Sequence, residues 1–345
     1  MKCKIGIIGL GNVGLGLVRI LHNKRKELKG KYGFNFEITA ISDLVKGSVY
    51  DESGLDLATV LDLIGKEGNL KNYPSGIRNL NSMRTIRKTN TNLIVEATLT
   101  NTRTGEPGLT HIKTALSNKK NVVTTNKGPI ALHYQELKKL ADENEVYLRF
   151  EGTVLSGTPA LNLVLESLAG CDVSRIQGIV NGTTNFILTK MEEGKRYEVA
   201  LVEAQKLGYA ETDPTADVEG WDAAVKTVIM ADVVMGENIN VRDVERVGIT
   251  GITLSDVKKA KENNRRIKLI AEVEKKNYIV NAKVLPREVP LTHPLANVMG
   301  AINALTFTTD HLGDVTIIGP GAGRIETGQA LLTDILALNR ILHKY

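Results

Sequence analysis

The amino-acid sequence predicts an α/β fold: a doubly wound parallel sheet closely joined to a second α/β domain. Three observations carry this expectation. In the first half, short apolar β-rich runs alternate with segments of helical periodicity, the pattern of parallel βαβ units. The first run, KIGIIG, leads directly into GLGNVG and then a helix-period stretch. After about residue 152 the texture changes, and a long helical segment and a second group of strand-like runs follow. At 345 residues the chain is long enough for about two domains with sizeable cores.

Taken in order, strands are expected over CKIGIIG (3–9), FEITAIS (36–42), LIVEAT (93–98), NVVTT (121–125) and VYLRF (146–150). Between the first two, Val13, Leu17, Ile20 and Leu21 recur at helical spacing and run into NKRKELKGKYG, read as a solvated helix end and loop. YQELKKLADENE reads as an amphipathic helix. In the second half, GIVNGTTNFILTKMEEG suggests a strand, a turn and a helix start, and VEGWDAAVKTVIMADVVMG one long helix. VNAKVLP and ALTFTTD suggest strands of a second sheet, and the tail DVTIIGPGAGRIETGQALLTDILALNRIL a strand, a Gly-rich turn and a helix.

Composition narrows the function classes. The chain is 42% hydrophobic, 24% charged and formally +5, with Lys and Arg spread along its length. It shows neither a basic block nor the aromatic platforms of a nucleic-acid binder, so no nucleic-acid partner is expected. Two cysteines, Cys3 and Cys171, form no disulfide framework and no zinc pattern. No apolar run approaches the roughly 20 residues of a membrane span. The strand-like start leaves no room for a signal peptide. A cytoplasmic chain with no membrane partner is expected.

GLGNVG has a physical logic for binding a dinucleotide. Gly9 permits the tight turn, Gly11 lets backbone approach a pyrophosphate, and Gly14 allows close helix packing. Asn12 and Val13 open the helix whose free N–H groups would face the phosphates. The motif alone is shared with flavin sites and plain tight turns. Asp43, at the end of the second strand, could accept from an adenosine ribose 2′-OH, or simply start a turn. It lies beyond the usual spacing of about 20 residues, which the lysine-rich segment would explain. Lys46 could instead tolerate a 2′-phosphate. Asn126 and Lys127, in TTNKGPIA, stand at the carboxyl end of a strand, where ligands of doubly wound sheets bind. Ordinary surface positions are the other reading.

The most unusual stretch is GYAETDPTADVEGWDAAVK (208–226), with Glu211, Asp213, Asp217, Glu219 and Asp222 ahead of Lys226. Acids this crowded repel unless a cation, a donor or water compensates. On a helical wheel Val218, Trp221, Val225, Ile229 and Val233 form one apolar stripe, with Asp222 inside it and Lys226 at its edge. A carboxylate on a packing face is costly unless paired. Asp217 reads as an N-cap.

Together these segments resemble the homoserine dehydrogenase family, over nearly the whole chain. GLGNVG, VVTTNKGP, EGTVLSGTP, NGTTNFIL, LGYAETDPTADVEGWDAAVK and GPGAG carry the resemblance. It implies a Rossmann-type domain over residues 1–150, completed by 316–345, and an α/β substrate-binding and dimerisation domain over 151–315. It implies an oxidoreductase of the threonine, methionine and isoleucine branch, interconverting L-homoserine and L-aspartate 4-semialdehyde with NAD or NADP. Lys226 would then be the proton donor or acceptor, with Lys127 beside it and the nicotinamide. Glu211 would bind the substrate ammonium, with Asp222, Asp217 and Tyr209 nearby and Thr183 opposite. Gly182, Asn185, Thr98 and Gly321 would approach the cofactor. Glu151 and the carbonyls of Val154, Ser156 and Thr158 would hold a structural sodium ion, an oxygen set suited to a hard cation; an ordinary turn is the alternative.

Many family members carry a C-terminal regulatory domain. This chain stops at Tyr345, so a short form is expected, with weak or no inhibition by threonine. Leu44 follows the strand-end acid where NADP-preferring members often carry a basic residue, which favours NAD. Two other functions fit parts of the chain: a dehydrogenase of another amino-acid semialdehyde, and a non-catalytic NAD(P)-sensing protein. A sensor has no need for Lys127, Glu211, Asp222 and Lys226 together.

Overall fold

The computed structural model describes residues 2–277 and 279–343. Residues 1, 344 and 345, the ends of the expected nucleotide-binding domain, lie outside the described residues. The chain divides into two compact units, Met1–Gly157 with Gly323–Tyr345, and Thr158–Ala322.

The first unit holds β1 (Cys3–Ile8), β2 (Phe36–Asp43), β3 (Gly47–Tyr50), β4 (Ile77–Arg78), β5 (Leu93–Glu96), β6 (Asn121–Thr124) and β7 (Leu148–Arg149). They form one sheet in the order β4-β3-β2-β1-β5-β6-β7. The five expected strands pair in parallel. Ile5, Ile7 and Ile8 of β1 are all buried, as a strand covered on both faces requires. The antiparallel extension through β3 and β4 is not apparent in the sequence. Strands of four and two residues are too short to display an alternation.

Helices α1 (Asn12–Tyr32), α2 (Leu57–Glu67), α3 (Ser82–Lys88), α4 (Gly108–Ser117) and α5 (Lys127–Glu143) connect these strands. The lysine-rich patch is helical, not a loop, since α1 continues to Tyr32 and stops at left-handed Gly33. Leu28 on its inner face is buried, which extends the helix beyond the point where the polar run suggests an end. A C-terminal helix, Arg324–His343, lies against α1. The approach is so close that a Cβ on Gly16 would stand 2.1 Å from the Arg324 carbonyl. Its Leu331, Leu332, Ile335 and Leu338 complete the core of this unit.

The second unit holds β8 (Val173–Ile179), β9 (Glu245–Arg246), β10 (Arg265–Lys276), β11 (Ile279–Pro290), β12 (Ile302–Thr309) and β13 (Gly313–Pro320), in the order β13-β12-β8-β10-β11-β9. β13 pairs with β12 along its whole length, from Ile302 opposite Pro320 to Thr309 opposite Gly313. That ladder keeps the chain in the second unit until residue 322, where the expected boundary was 315. The other boundary falls at 157, not 150.

The helical part of this unit comprises α6 (Ala160–Asn162), α7 (Gly182–Glu192), α8 (Tyr197–Lys206), α9 (Thr215–Val218), α10 (Trp221–Met235) and α11 (Leu254–Glu262). α10 packs on β10 and β11. The expected long helix is broken: Gly220 has a φ of 78°, left-handed backbone that separates α9 from α10. The apolar stripe is corrected too. Val218 lies on α9, and Trp221 is 41% exposed beneath the Arg246 guanidinium, 3.7 Å from its ring centre. From Ala223 to Asp232 every residue of α10 is buried, so no single face shows in the pattern. Among the described residues, no helix is long and apolar enough to cross a membrane.

Candidate active site

The expected site residues divide between the two units. In the first, β1 ends in a turn at Gly9, whose φ of 95° and 2.5 Å approach of a would-be Cβ to the Ala97 carbonyl both require glycine. A Cβ on Gly14 would stand 2.2 Å from the Gly9 carbonyl, so this position packs α1 onto the turn. Gly11 differs: a Cβ there meets no protein atom within 4 Å. Open space at Gly11, and no side-chain cap on the first turn of α1, suit an anion lodged against the helix N–H groups. The Asn12 side chain accepts from Arg324 at 2.8 Å. Val13, half-buried, packs on the unit's core.

Asp43 is a turn anchor. One oxygen accepts the Leu10 N–H at 2.7 Å, and the other the Val45 and Lys46 N–H groups at 2.9 Å each. These bonds outweigh its burial and hold the carboxyl below the usual range. The anchor ties the end of β2 to the glycine loop. Lys46 bonds the Leu10 carbonyl from the other side.

At the ends of β5 and β6, Thr98 bonds the buried Glu96 carboxylate through its N–H and its hydroxyl. His111 approaches the same carboxylate. Asn126 is 1% exposed and sits at the N-cap of α5, directly before Lys127. Its oxygen accepts from Thr100 at 2.6 Å, while its nitrogen has no partner. Glu151 is buried in a turn whose N–H bonds Asp334 at 2.8 Å. Val154 and Ser156 follow on that turn, Ser156 with a φ of 55°. Thr158 opens the second unit, and its hydroxyl donates to the Pro320 carbonyl at 2.9 Å.

The second unit collects the acidic stretch around α7. Asn181 caps this helix through its oxygen, which accepts the Thr184 N–H at 2.9 Å. Its nitrogen donates to Asp217 at 2.7 Å and to Asp222 at 3.0 Å. The Lys226 ammonium lies 2.8 Å from Asp222 and donates to the Val180 carbonyl at 2.6 Å. Burial, and then the nearby Asp222, push the Asp217 carboxyl up, against hydrogen bonds that favour its charge. Asp217 is therefore not an N-cap: Pro214 occupies that position of α9.

Asp213 and Glu219 serve local structure, the first accepting from Thr215 and the second from Thr250. Glu211 is exposed. Thr183 donates to the Tyr209 carbonyl at 2.7 Å, and the Tyr209 ring packs on Phe186. Asn185 is 1% exposed and braces loops: its nitrogen donates to the Val298 and Ile302 carbonyls, and its oxygen accepts from Lys268 at 2.9 Å. This inward-facing amide is a scaffold where the resemblance implied a cofactor contact. Cys171, Asp310 and His311 cluster at the surface, with Asp310 already accepting the Asp172 N–H at 2.9 Å.

Comparison with known proteins decides the family. The homoserine dehydrogenase model matches residues 159–336, and the NAD-binding domain model of the same family matches residues 9–151. This chain belongs to the homoserine dehydrogenase family. It is 42% identical to the NAD(+)-dependent homoserine dehydrogenase of Pseudomonas canavaninivorans over 98% of this chain and 96% of that one. It is 44% identical to the homoserine dehydrogenase of Methanocaldococcus jannaschii over 96% of each. A hyperthermophilic archaeal homoserine dehydrogenase mutant in complex with NADPH matches with a TM-score of 0.84 at 33% identity, covering 100% of this chain and 99% of that one.

Family membership leaves the chemistry to these residues, and two that matter were not singled out from sequence. Asn181 links both partly buried acids to α7, and the Val180 carbonyl holds Lys226. The signal for Asn181 was available, since Asn is a preferred residue directly before a helix start, where it caps α7.

Proposed function

We infer that this chain catalyses the NAD(P)-dependent interconversion of L-homoserine and L-aspartate 4-semialdehyde, with Lys226 as its proton-transfer group. The observation that carries the assignment is the buried Lys226, held by Asp222 and the Val180 carbonyl beside the Asn181–Asp217 pair. Oxidation removes a hydride from the hydroxyl-bearing carbon and a proton from its oxygen. A bound nicotinamide supplies the hydride acceptor. The Lys226 ammonium gives the substrate oxygen its proton on reduction, and the neutral Lys226 amine takes that proton on oxidation. Asp222 and Val180 fix the ammonium in place, so proton transfer needs no side-chain search. The exposed Glu211 meets the substrate ammonium, with Thr183 and Tyr209 beside it. In the first unit, Gly11 and the start of α1 accept the pyrophosphate, and Thr98, Asn126 and Lys127 face the reacting end.

Three further parts belong to this reading. Glu151 with the carbonyls of Val154, Ser156 and Thr158 binds a structural sodium ion; a buried carboxylate on a tight turn supports it. The chain works as a homodimer in the cytoplasm. β13 ends the second sheet as an eight-residue edge with Ile318 53% exposed, a strand face that a second copy would cover.

Nicotinamide absorbance with L-homoserine at alkaline pH tests the assignment. Turnover with at least one of NAD and NADP is expected, and none with either would refute it. Glu211→Gln should mainly raise KM for homoserine, because it removes charge the substrate meets before reaction.

A further inference from the structure

Cys171 and His311 are distant in the chain and meet at one corner of the second unit. Cys171 precedes β8, and Asp310 and His311 belong to the turn between β12 and β13. β8 and β12 pair antiparallel, with Thr309 opposite Val173 after a shift in register. That pairing carries both segments to the same end of the sheet. Spacing along the sequence shows no zinc pattern, because the partners come together only across strands.

The backbone at this corner is held from both sides. The Asp310 N–H donates to the Asp172 carbonyl at 3.1 Å, and the Asp172 N–H donates to the Asp310 carboxylate at 2.9 Å. The Cys171 N–H bonds the Leu168 carbonyl at 3.0 Å. Within the turn, the Thr309 hydroxyl accepts the Leu312 N–H at 3.0 Å and donates to the Gly313 carbonyl at 3.1 Å. A ligand arriving here has only side chains left to orient.

Among the described residues, Cys171, Asp310 and His311 are the one group of such side chains that brings three ligand atoms within 4.8 Å of one another. His311 Nδ1 stands 3.0 Å from Asp310 Oδ1. Two ligands about 2.0 Å from one tetrahedral ion stand about 3.3 Å apart, so this pair already has the spacing of one edge. Cys171 is a free, half-buried thiol, and its two partners are exposed.

We propose that Cys171, Asp310 and His311 bind a divalent transition-metal ion of the zinc class, with water completing the coordination. A thiolate selects against sodium, magnesium and calcium, which take oxygen ligands. Zn²⁺ accepts a mixed set of sulfur, nitrogen and oxygen, and its d-electrons impose no geometry of their own. On binding, the metal displaces the thiol proton and takes the lone pair of a ring nitrogen. The site lies wholly within the second unit and uses no residue of the proposed reaction. An ion held by the fold and not by the unfolded chain ties the start of β8 to the β12–β13 turn and stabilises the protein.

Cobalt reports such a site directly. Titrated into the metal-free chain, Co²⁺ should give a near-ultraviolet sulfur-to-cobalt charge-transfer band that saturates at one ion per chain, and Zn²⁺ should abolish it. Cys171→Ser should lose the band, and Cys3→Ala should keep it. His311→Ala should weaken Zn²⁺ about 100-fold or more, since loss of an outer partner alone costs about 10–100-fold. Asp310→Asn keeps an oxygen for the Asp172 N–H and should weaken Zn²⁺ about tenfold. Zn²⁺ should raise the melting temperature of the parent and leave that of Cys171→Ser unchanged.

A band that survives in Cys171→Ser, or disappears in Cys3→Ala, would put the ion elsewhere and overturn the proposal. One ion per two chains, with association that depends on zinc, would also overturn it and make the metal a bridge between copies. No band, with melting indifferent to Zn²⁺, would leave the three side chains an ordinary surface contact. Should Cys171→Ser not fold, His311→Ala carries the same comparison from an exposed position.

Discussion

The Lys226 ammonium stands 2.8 Å from the Asp222 carboxylate, one helical turn back along α10. Lys226 is only 7% exposed, so the pair holds its geometry largely out of water. Lys226→Ala should lower kcat by about 100-fold or more, the scale of general acid–base catalysis, with little change in cofactor affinity. The same variant leaves Asp222 near Asp217 without its cation. Breaking a buried pair costs about 3–5 kcal/mol, so the melting temperature should fall as well. If Lys226→Ala keeps near-normal kcat while Lys127→Ala abolishes turnover, the two lysines have each other's roles.

Asp217 offers a test of charge crowding. Its carboxyl is raised by burial and by Asp222, so the folded state binds its proton more tightly than the unfolded chain does. The stability this proton contributes is fully present below the ordinary aspartate value. It is lost as pH rises through the raised value. Asp217→Asn abolishes that loss. Relative to the parent, the variant should gain in urea midpoint between pH 4 and pH 7, while its KM for homoserine rises. A midpoint difference independent of pH would show that Asn181 and Lys226 fully neutralise the two acids.

Asp43 has two jobs, and a variant can separate them. Its bonds to Leu10, Val45 and Lys46 shape the glycine loop for either cofactor. A ribose 2′-OH, free only in NAD, would add a bond that NADP cannot make. Asp43→Ala should weaken both cofactors and weaken NAD more, as seen in the two Michaelis constants measured side by side. An equal loss for both would leave the carboxylate a turn anchor alone.

How much of this was legible in the sequence depends on the range of the interaction involved. GLGNVG could be read because its glycines answer to local geometry: the turn at Gly9 and the helix contact at Gly14 lie within six residues. Asp222 and Lys226 are as close in sequence, but the apolar stripe drawn through them argued against the simple i, i+4 pair that they form. The role of Asp217 was not legible, because its partner Asn181 is 36 residues away on another helix. The stripe drawn through Trp221 failed because Gly220 breaks the helix there.

Buried Lys268 gives a prediction at higher pH. Burial lowers its ammonium to about 8, with Arg266 acting in the same direction and Glu192 against it. An unfolded lysine titrates near 10.4, so between about pH 8 and 10 the unfolded chain holds more protons than the fold. Stability from this group therefore rises across that window and is lowest at and below pH 8, where the charge is carried inside the protein. Lys268→Met removes the titration but also strips a donor from Asn185 and Val298, so its stability at any one pH combines two effects. The difference between parent and variant isolates the titration. In urea unfolding at pH 7.5 and 9.5 it should move toward the parent, by up to about 2 kcal/mol at 1.4 kcal/mol per unit. No movement would mean that Lys268 stays charged throughout, held by Asn185 and the Val298 carbonyl.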